Sequence, residues 1–419
     1  MLIYKALIRR KAVSKNLLHT PEGVRDVYDT ECARKRYAME RIKDVLHSFG
    51  CRDIETPSFE YFDIFNMDTG SAPSNEMYKF FDRENNTLVL RPDFTPSVAR
   101  CAAKYYAEEQ LPLRLTYEGS AFINAHQHQG KLSEFTQIGA EFINDDSSAA
   151  DAEIVACVTE CMLAVGLKEF QIELSNVDFF RGLIDEAGLD EETAERIREF
   201  IHAKNFYGLS AYVDKLDISE DIKRAITGFE GLFGGVETLD KAAVLVKNGT
   251  SLEAVERLRR VYAAIEAYGY GDYVSFDLSM INRYNYYTGI VFRAYTYGTG
   301  DAVVKGGRYN HLLAKFGKEA PSVGFSVYVD DLMNALTRNR IELDVDILNE
   351  LILYEREQQA EAIKLATALR SEGRRVELVR KSARFSIDDY REYASRMHIR
   401  NIYKIREDGS HEILDICAG

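Results

Sequence analysis

The chain has 419 residues, of which 46% are hydrophobic and 29% charged, and its formal net charge is −14. This length is too great for one ordinary hydrophobic core, so we expect two or three domains. The acidic balance argues against nucleic acid as the main partner, because phosphate binding requires a basic face. No stretch approaches the ~20 apolar residues of a membrane span and no signal peptide is evident, which predicts a cytoplasmic protein.

The cysteines and histidines do not suggest a metal site. The six cysteines are scattered without a C-x-x-C pair, which is typical of core packing in a reducing compartment. His126 and His128 stand two residues apart in a polar loop with no third ligand nearby in the sequence. We therefore predict neither a metal nor a cofactor.

In chain order, the elements predict three parts. Residues 1–17 are an N-terminal extension, and residues 18–340 predict an α+β unit with an antiparallel sheet flanked by helices. Inside that unit, residues 190–268 are charged, helical in pattern and without strand signals, which indicates a helical insertion. Residues 345–419 alternate strand and helix patterns, which predicts a small α/β domain with an open, mostly parallel sheet.

The stretch "LRPDFTPSVAR" places Asp93 and Thr95 after a strand and at the start of a helix. Polar groups at such a point are well placed to hold an ammonium group or a hydroxyl. Asp and Thr are also good helix caps, so a purely structural role is open.

The stretch "EFTQIGAEF" puts Gln137 and Glu141 on one face of a strand, with Gly139 between them. A buried glutamate is costly without a partner, and an amine or imidazole of a ligand would be one. An exposed polar face is the alternative.

Two further segments have the composition of a pocket wall. In "NRYNYYTGIVF", Tyr286 and Tyr287 point to opposite faces if the segment is extended, so one hydroxyl would line a cavity. In "KGGRYNHLL", Gly306 and Gly307 permit a close backbone approach or a sharp turn. Core packing and an ordinary turn are the plainer alternatives.

Taken together and in this order, the segments resemble the histidyl-tRNA synthetase catalytic domain over about residues 18–336. They are "TPEGVRD", "LRPDFTPSVAR", "AFINAHQHQGKLSEFTQIGAEF", "FDLSMINRYNYYTGIVF", "KGGRYNHLL" and "APSVGFSVYVDDL". The resemblance implies the class II synthetase fold, usually dimeric, and a C-terminal unit like a reduced anticodon-binding domain. It also implies a histidine pocket formed by Asp93, Thr95, Gln137, Glu141, Tyr286, Tyr287, Gly306 and Gly307.

The ATP-facing positions depart from the synthetase pattern, which has arginines in three places. The residues standing at those motifs are Ile123, Ala125 and His126, then Asn282 and Asn285, and finally Asp330 and Asp331. Adenylation develops negative charge at phosphorus, and removing one stabilising contact typically costs about 10²–10³ in rate. Carboxylates near the triphosphate position would repel ATP, so we predict no catalytic residues.

A chain that keeps the histidine pocket but lacks the residues for adenylation resembles the ATP phosphoribosyltransferase regulatory subunit family. That resemblance implies a non-catalytic subunit that assembles with the short-form catalytic subunit in a hetero-octamer, with L-histidine as a possible effector. Two alternatives stay open. One is an active histidyl-tRNA synthetase in which Arg283 substitutes for a displaced arginine, and the other is an orphan synthetase-like RNA-binding module.

Overall fold

The computed structural model describes residues 18–66, 72–124, 132–281, 287–345, 348–414 and 416. The predictions for residues 1–17 and for Tyr286, together with Ala125, His126, Asn282, Arg283 and Asn285, lie outside these ranges. The described chain forms two compact units, residues 18–27 with 35–343, and residues 28–34 with the part from 344 onward. In these ranges no helix is long and apolar enough to cross a bilayer.

The first unit contains a mixed sheet and a small antiparallel sheet. Its strands in the described residues are β1 (Arg52–Asp53), β2 (Phe59–Tyr61), β3 (Lys79–Phe81), β4 (Thr87–Leu90), β5 (Leu113–Phe122), β6 (Glu134–Ile143), β7 (Phe170–Asn176), β8 (Phe233–Gly234), β9 (Val274–Asp277), β10 (Ile290–Thr296), β11 (Val304–Arg308) and β12 (Ser322–Tyr328). The main sheet has the order β1-β5-β6-β12-β11-β10-β7-β9-β8, and the small one β2-β4-β3. From β5 to β7 every neighbouring pair is antiparallel.

The described helices between residues 29 and 338 include some with an end set by a capping side chain or a glycine. They are α1 (Asp29–Ser48), α2 (Asp63–Asn66), α3 (Thr95–Tyr105), α4 (Ser148–Ala164), α5 (Val177–Ala187), α6 (Glu191–His202), α7 (Phe206–Val213), α8 (Glu220–Thr227), α9 (Glu237–Leu245), α10 (Gly249–Ala267) and α11 (Val329–Arg338). The side chain of Ser147 caps α4, and Gly188 ends α5 in the left-handed region with φ 62°.

One face of the main sheet carries the hydrophobic core. The strand β6 turns Ile138, Ala140 and Phe142 toward this core, which also includes residues of α4 and α10. Helix α4 is apolar around most of its circumference, as a helix buried on several sides must be. The opposite face of β6 is polar, and it carries the candidate site.

The predicted helical insertion contains one short strand that its sequence does not indicate. Helices α6 to α10 lie in this stretch, and β8 pairs with β9 at the edge of the main sheet. Gly234 has φ 141°, a conformation that few residues other than glycine adopt. Since glycine is depleted in strands, "LFGG" gives no strand signal.

The second unit is a small α/β domain. Its elements are β13 (Asn349–Tyr354), α12 (Gln359–Ser371), β14 (Val376–Arg380), α13 (Ile387–Arg396), β15 (Ile399–Ile405) and β16 (His411–Leu414). The sheet order is β14-β13-β15-β16, with β13 parallel to both of its neighbours and β16 antiparallel to β15. The predicted α+β fold with a mostly parallel second sheet is therefore confirmed.

Candidate functional site

The polar face of the main sheet is set by alternation along β6 and β12. The paired residues on this face are Gln137, Gly139 and Glu141 of β6 and Tyr328, Ser326 and Gly324 of β12. A Cβ atom at Gly324 would lie only 1.5 Å from Glu141 Oε2, so glycine is required where the carboxylate crosses β12. A Cβ atom at Gly139 would lie 2.7 Å from the Tyr117 hydroxyl. The two glycines give the neighbouring polar groups their room.

Glu141 is buried, and no cation pairs with it among the described residues. It is 1% exposed, and its Oε1 accepts a hydrogen bond from Thr95 Oγ1 at 2.8 Å. Its Oε2 accepts a hydrogen bond from the Tyr309 hydroxyl. Burial raises the pKa of Glu141 to about 8; the hydroxyl groups of Tyr309, Thr95 and Tyr117 oppose the rise, and Asp93 adds to it. A cationic ligand group would stabilise the charged form of this carboxylate.

Thr95 contacts this carboxylate from the first residue of α3, and Asp93 lies two residues before it in the chain. Thr95 donates its hydroxyl to Glu141 and is not the N-cap of α3; that position is Phe94, which makes no side-chain cap bond. The structure therefore favours the site role of Thr95 over the capping role. Asp93 is half-buried and accepts a hydrogen bond from the Phe94 amide at 2.8 Å. Two acidic side chains thus line one end of the site.

Gln137 presents an unused acceptor. It is 2% exposed, and among the described residues its Oε1 has no hydrogen-bond partner. Burial and then Asp93 raise the pKa of the neighbouring Tyr328 well above its ordinary value, while a hydrogen bond with Gln137 opposes that rise. Buried polar atoms are rarely left without a partner, so an N–H donor of a ligand would satisfy Gln137.

Three tyrosines of the site are not among those predicted from the sequence patterns. Tyr309 contacts Glu141, Tyr328 borders Gln137, and Tyr117 shares a 2.6 Å hydrogen bond with Ser326 Oγ. The alternation of polar residues in "SVGFSVY" was a usable signal for Tyr328. Tyr309 lies just beyond the last residue of β11, where no periodicity assigns a face.

The predicted glycine pair is divided between the two faces of the sheet. Gly307 pairs with Gly324 on the polar face, and a Cβ atom there would lie 2.6 Å from the ring of Tyr287. Gly306 pairs with Phe325 on the core face, where a Cβ atom would lie 2.4 Å from the ring of Phe292. The structure thus joins Gly307 and Tyr287 to the site, whereas Gly306 makes room for core packing.

Two of the ATP-facing positions have structural partners. The Ile123 amide donates to the Ser133 carbonyl at 2.9 Å, closing the base of the hairpin. Asp330 accepts from Lys35 Nζ and from the Thr136 amide, each at 2.7 Å. Lys35 and the backbone thus hold the Asp330 carboxylate in place, and the expectation that carboxylates stand near the triphosphate position stays a prediction.

A second buried carboxylate fixes the strand that carries the glycines. Asp151, which is 0% exposed, lies 2.7 Å from a guanidinium nitrogen of Arg308 and 2.7 Å from one of Arg257. Arg308 ends β11 and Asp151 belongs to the first turn of α4. This ion-pair network ties β11 to α4 and is structural. Elsewhere, the described residues contain no group of three or more His, Cys, Asp or Glu suited to a metal ion.

Comparison with known proteins gives concordant results. A model of the histidyl-tRNA synthetase family matches residues 23–332. The ATP phosphoribosyltransferase regulatory subunit of Acetivibrio thermocellus is 37% identical over 402 residues, covering 96% of each chain. The subunit of the same description from Clostridium acetobutylicum is 33% identical, with 92% of this chain and 94% of that protein covered.

Solved structures give the same result for the fold. A Bacillus halodurans protein described as an ATP phosphoribosyltransferase regulatory subunit/histidyl-tRNA synthetase matches with a TM-score of 0.84 and 30% identity, covering 93% of this chain and 98% of that one. Histidyl-tRNA synthetase from a Nostoc species matches with a TM-score of 0.78 at 21% identity, covering 95% and 96%, which shows the shared fold alone. The chain belongs to the family of ATP phosphoribosyltransferase regulatory subunits, which is built on the histidyl-tRNA synthetase fold.

Proposed function

We propose that this chain is a non-catalytic regulatory subunit of ATP phosphoribosyltransferase in histidine biosynthesis. It binds the short-form catalytic subunit, activates it, and takes part in feedback inhibition by L-histidine. The observation that carries the proposal is Glu141, a fully buried carboxylate with no cationic partner among the described residues. A site of this kind suits a ligand that brings an amine or an imidazolium.

The histidine site in this proposal consists of Asp93, Thr95, Gln137, Glu141, Tyr286, Tyr287 and Gly307. Thr95 and Tyr309 hold the Glu141 carboxylate in place, and Gln137 offers its unused oxygen to an N–H donor. Histidine shifts the catalytic subunit between active and inhibited states only if its affinity differs between them. The proposal therefore requires the pocket, or its access, to change when the subunits assemble.

The proposed absence of catalysis rests on the charges of the residues at the ATP-facing positions. Ile123 stands where the resemblance places an arginine, and Asp330 is engaged by Lys35 and the backbone. Phosphoryl chemistry relies on positioned cations, so this site is poorly equipped for adenylation. We further propose a homodimer through the synthetase-like unit, assembly into a hetero-octamer with the catalytic subunit, and a cytoplasmic location.

Reconstitution tests the proposal. The full-length chain is mixed with the short-form catalytic subunit, and phosphoribosyl-ATP formation is followed with and without L-histidine. We expect a complex on gel filtration, activity well above that of the catalytic subunit alone, and inhibition by L-histidine. Neither complex nor activation would contradict the proposal. Histidine-dependent ATP–pyrophosphate exchange by the chain alone would instead establish an active synthetase.

A further inference from the structure

The candidate site has acidic groups at one end, which suit the cationic groups of a ligand. A ligand that also carries an anionic group would require a positively charged side chain elsewhere in the site. Arg293 is the candidate. It lies on β10 and pairs across the sheet with Lys305 of β11, which in turn pairs with Ser326 of β12. Ser326 pairs with Gly139, so all four residues belong to the polar face that carries Glu141.

Among the described residues Arg293 forms no hydrogen bond and no ion pair, although it is half-buried. Its neighbours on the same face have other partners. Lys305 Nζ lies 3.0 Å from Asp301 Oδ2. Glu173 stands directly opposite Arg293 on β7 without an ion pair to it. Burial and then Asp277 raise the pKa of Glu173, whereas Lys204 and Arg293 oppose that rise. A half-buried guanidinium with all its donors unused is an unusual element of a sheet face.

Arg293 and Glu141 both act on the pKa of the Tyr287 hydroxyl. The Glu141 carboxylate crosses β12 at Gly324, and the Tyr287 ring covers Gly307 of β11. Arg293 lies on β10, the next strand. Burial and then Asp93 and Glu141 raise the pKa of Tyr287, while Arg293 opposes that rise, so charges of both signs act on this hydroxyl. Three strand spacings of about 4.8 Å put β6 and β10 roughly 14 Å apart.

We infer that Arg293 binds the carboxylate of the amino acid whose cationic groups meet Asp93, Glu141 and Gln137. The inference rests on the proposed function and deepens it by naming the group that recognises the ligand's anion. The acidic end and the guanidinium end together complement a zwitterion with a basic side chain. Guanidinium groups suit this role, because their fork of donors matches the two oxygens of a carboxylate.

The test separates the carboxylate from the imidazole. L-histidine and histamine, which lacks the carboxylate, are titrated calorimetrically into the full-length wild-type chain and into Arg293→Met, Arg293→Lys and Arg375→Met. Arg375 is exposed in the second unit and serves as the matched control. We expect Arg293→Met to weaken L-histidine binding about ten- to a hundredfold, the effect of one charge-assisted hydrogen bond. Histamine binding is unchanged, Arg293→Lys retains part of the affinity, and Arg375→Met behaves as wild type.

Two results overturn the inference alone. Arg293→Met binds L-histidine as tightly as wild type, or it loses affinity for L-histidine and histamine by the same factor, which indicates a structural role. A wild-type chain that binds neither ligand overturns the proposed histidine site itself, and the inference with it. A circular dichroism spectrum of each variant establishes that the compared chains are folded.

Discussion

Two buried carboxylates in the same unit have opposite surroundings. Asp151 is held by Arg308 and Arg257, so its charge is neutralised within the chain. Glu141 is equally buried, yet its described partners are two hydroxyl groups. Burying a charge is costly without a counter-charge. The first arrangement has its counter-charges, whereas the second has none among the described residues. This is the difference we expect between a carboxylate that stabilises the fold and one that binds a ligand.

The largest expected effect is on the stability of the fold, through the ion pairs of Asp151. Arg308→Met leaves Asp151 with Arg257 alone, and removing one partner of a buried pair typically costs about 3–5 kcal/mol of stability. Urea denaturation measures this loss. Arg257→Met is the matched control, and it should cost less because that side chain is 19% exposed and Arg308 only 1%. Equal and small losses in both variants would show that the network does not stabilise the fold.

The second prediction concerns pH. Glu141 has an ordinary pKa of 4.5 and a folded pKa of about 8, so the folded chain binds more protons than the unfolded chain between these values. Its contribution to stability is fully present below pH 4.5 and is lost as pH rises through about 8. Relative to Glu141→Gln, which has no titrating group there, wild type should lose roughly 2–4 kcal/mol between pH 5 and 8.

Urea denaturation of both proteins at several pH values in this window gives the comparison. Parallel stability curves for wild type and Glu141→Gln would mean that Glu141 titrates normally, and the contrast with Asp151 would lose its basis.

The third prediction is for binding. Glu141→Gln keeps the shape of the side chain but cannot ionise opposite a cationic ligand, so L-histidine should bind about ten- to a hundredfold more weakly, a loss of about 1.5–3 kcal/mol. Isothermal calorimetry at pH 7 measures the affinity. A useful reference is Glu153→Gln, because Glu153 is paired with Arg114. Unchanged affinity in Glu141→Gln would place the effector site elsewhere.

The smallest expected effect is at the hydroxyl that holds Glu141. Thr95→Val removes the 2.8 Å hydrogen bond to Oε1 at nearly constant volume, and we expect a loss of about 0.5–1.5 kcal/mol in L-histidine binding. Thr116→Val is the control, since that buried hydroxyl bonds the Gly139 carbonyl at 2.9 Å. Equal losses in the two variants would indicate general loosening of the sheet.

The parts of the site that follow from the sequence are those governed by local periodicity. The alternation in "EFTQIGAEF" assigns Gln137 and Glu141 to one face, and the structure agrees. The pair Gly306 and Gly307 shows where this reasoning stops. Adjacent residues of a strand face opposite ways, and only the register against β10 and β12 decides which one lies on the polar face that carries Glu141.

Long-range partners escape sequence reasoning for a related reason. Asp330 pairs with Lys35, which lies 295 positions away in the chain, and no sequence pattern near either residue predicts this contact. Tyr309 reaches Glu141 across 168 positions. The overall α+β fold is predictable because its helices and strands have regular patterns, whereas β8 is not, because the glycines in and after it give no strand signal.

The most direct test of the central claim is equilibrium dialysis of radiolabelled L-histidine against the wild-type chain without the catalytic subunit. A pocket retained for binding predicts saturable uptake approaching one L-histidine per chain, unaffected by added ATP. No saturable binding, or uptake that depends on ATP, would contradict the view that this fold keeps its histidine site without the synthetase reaction.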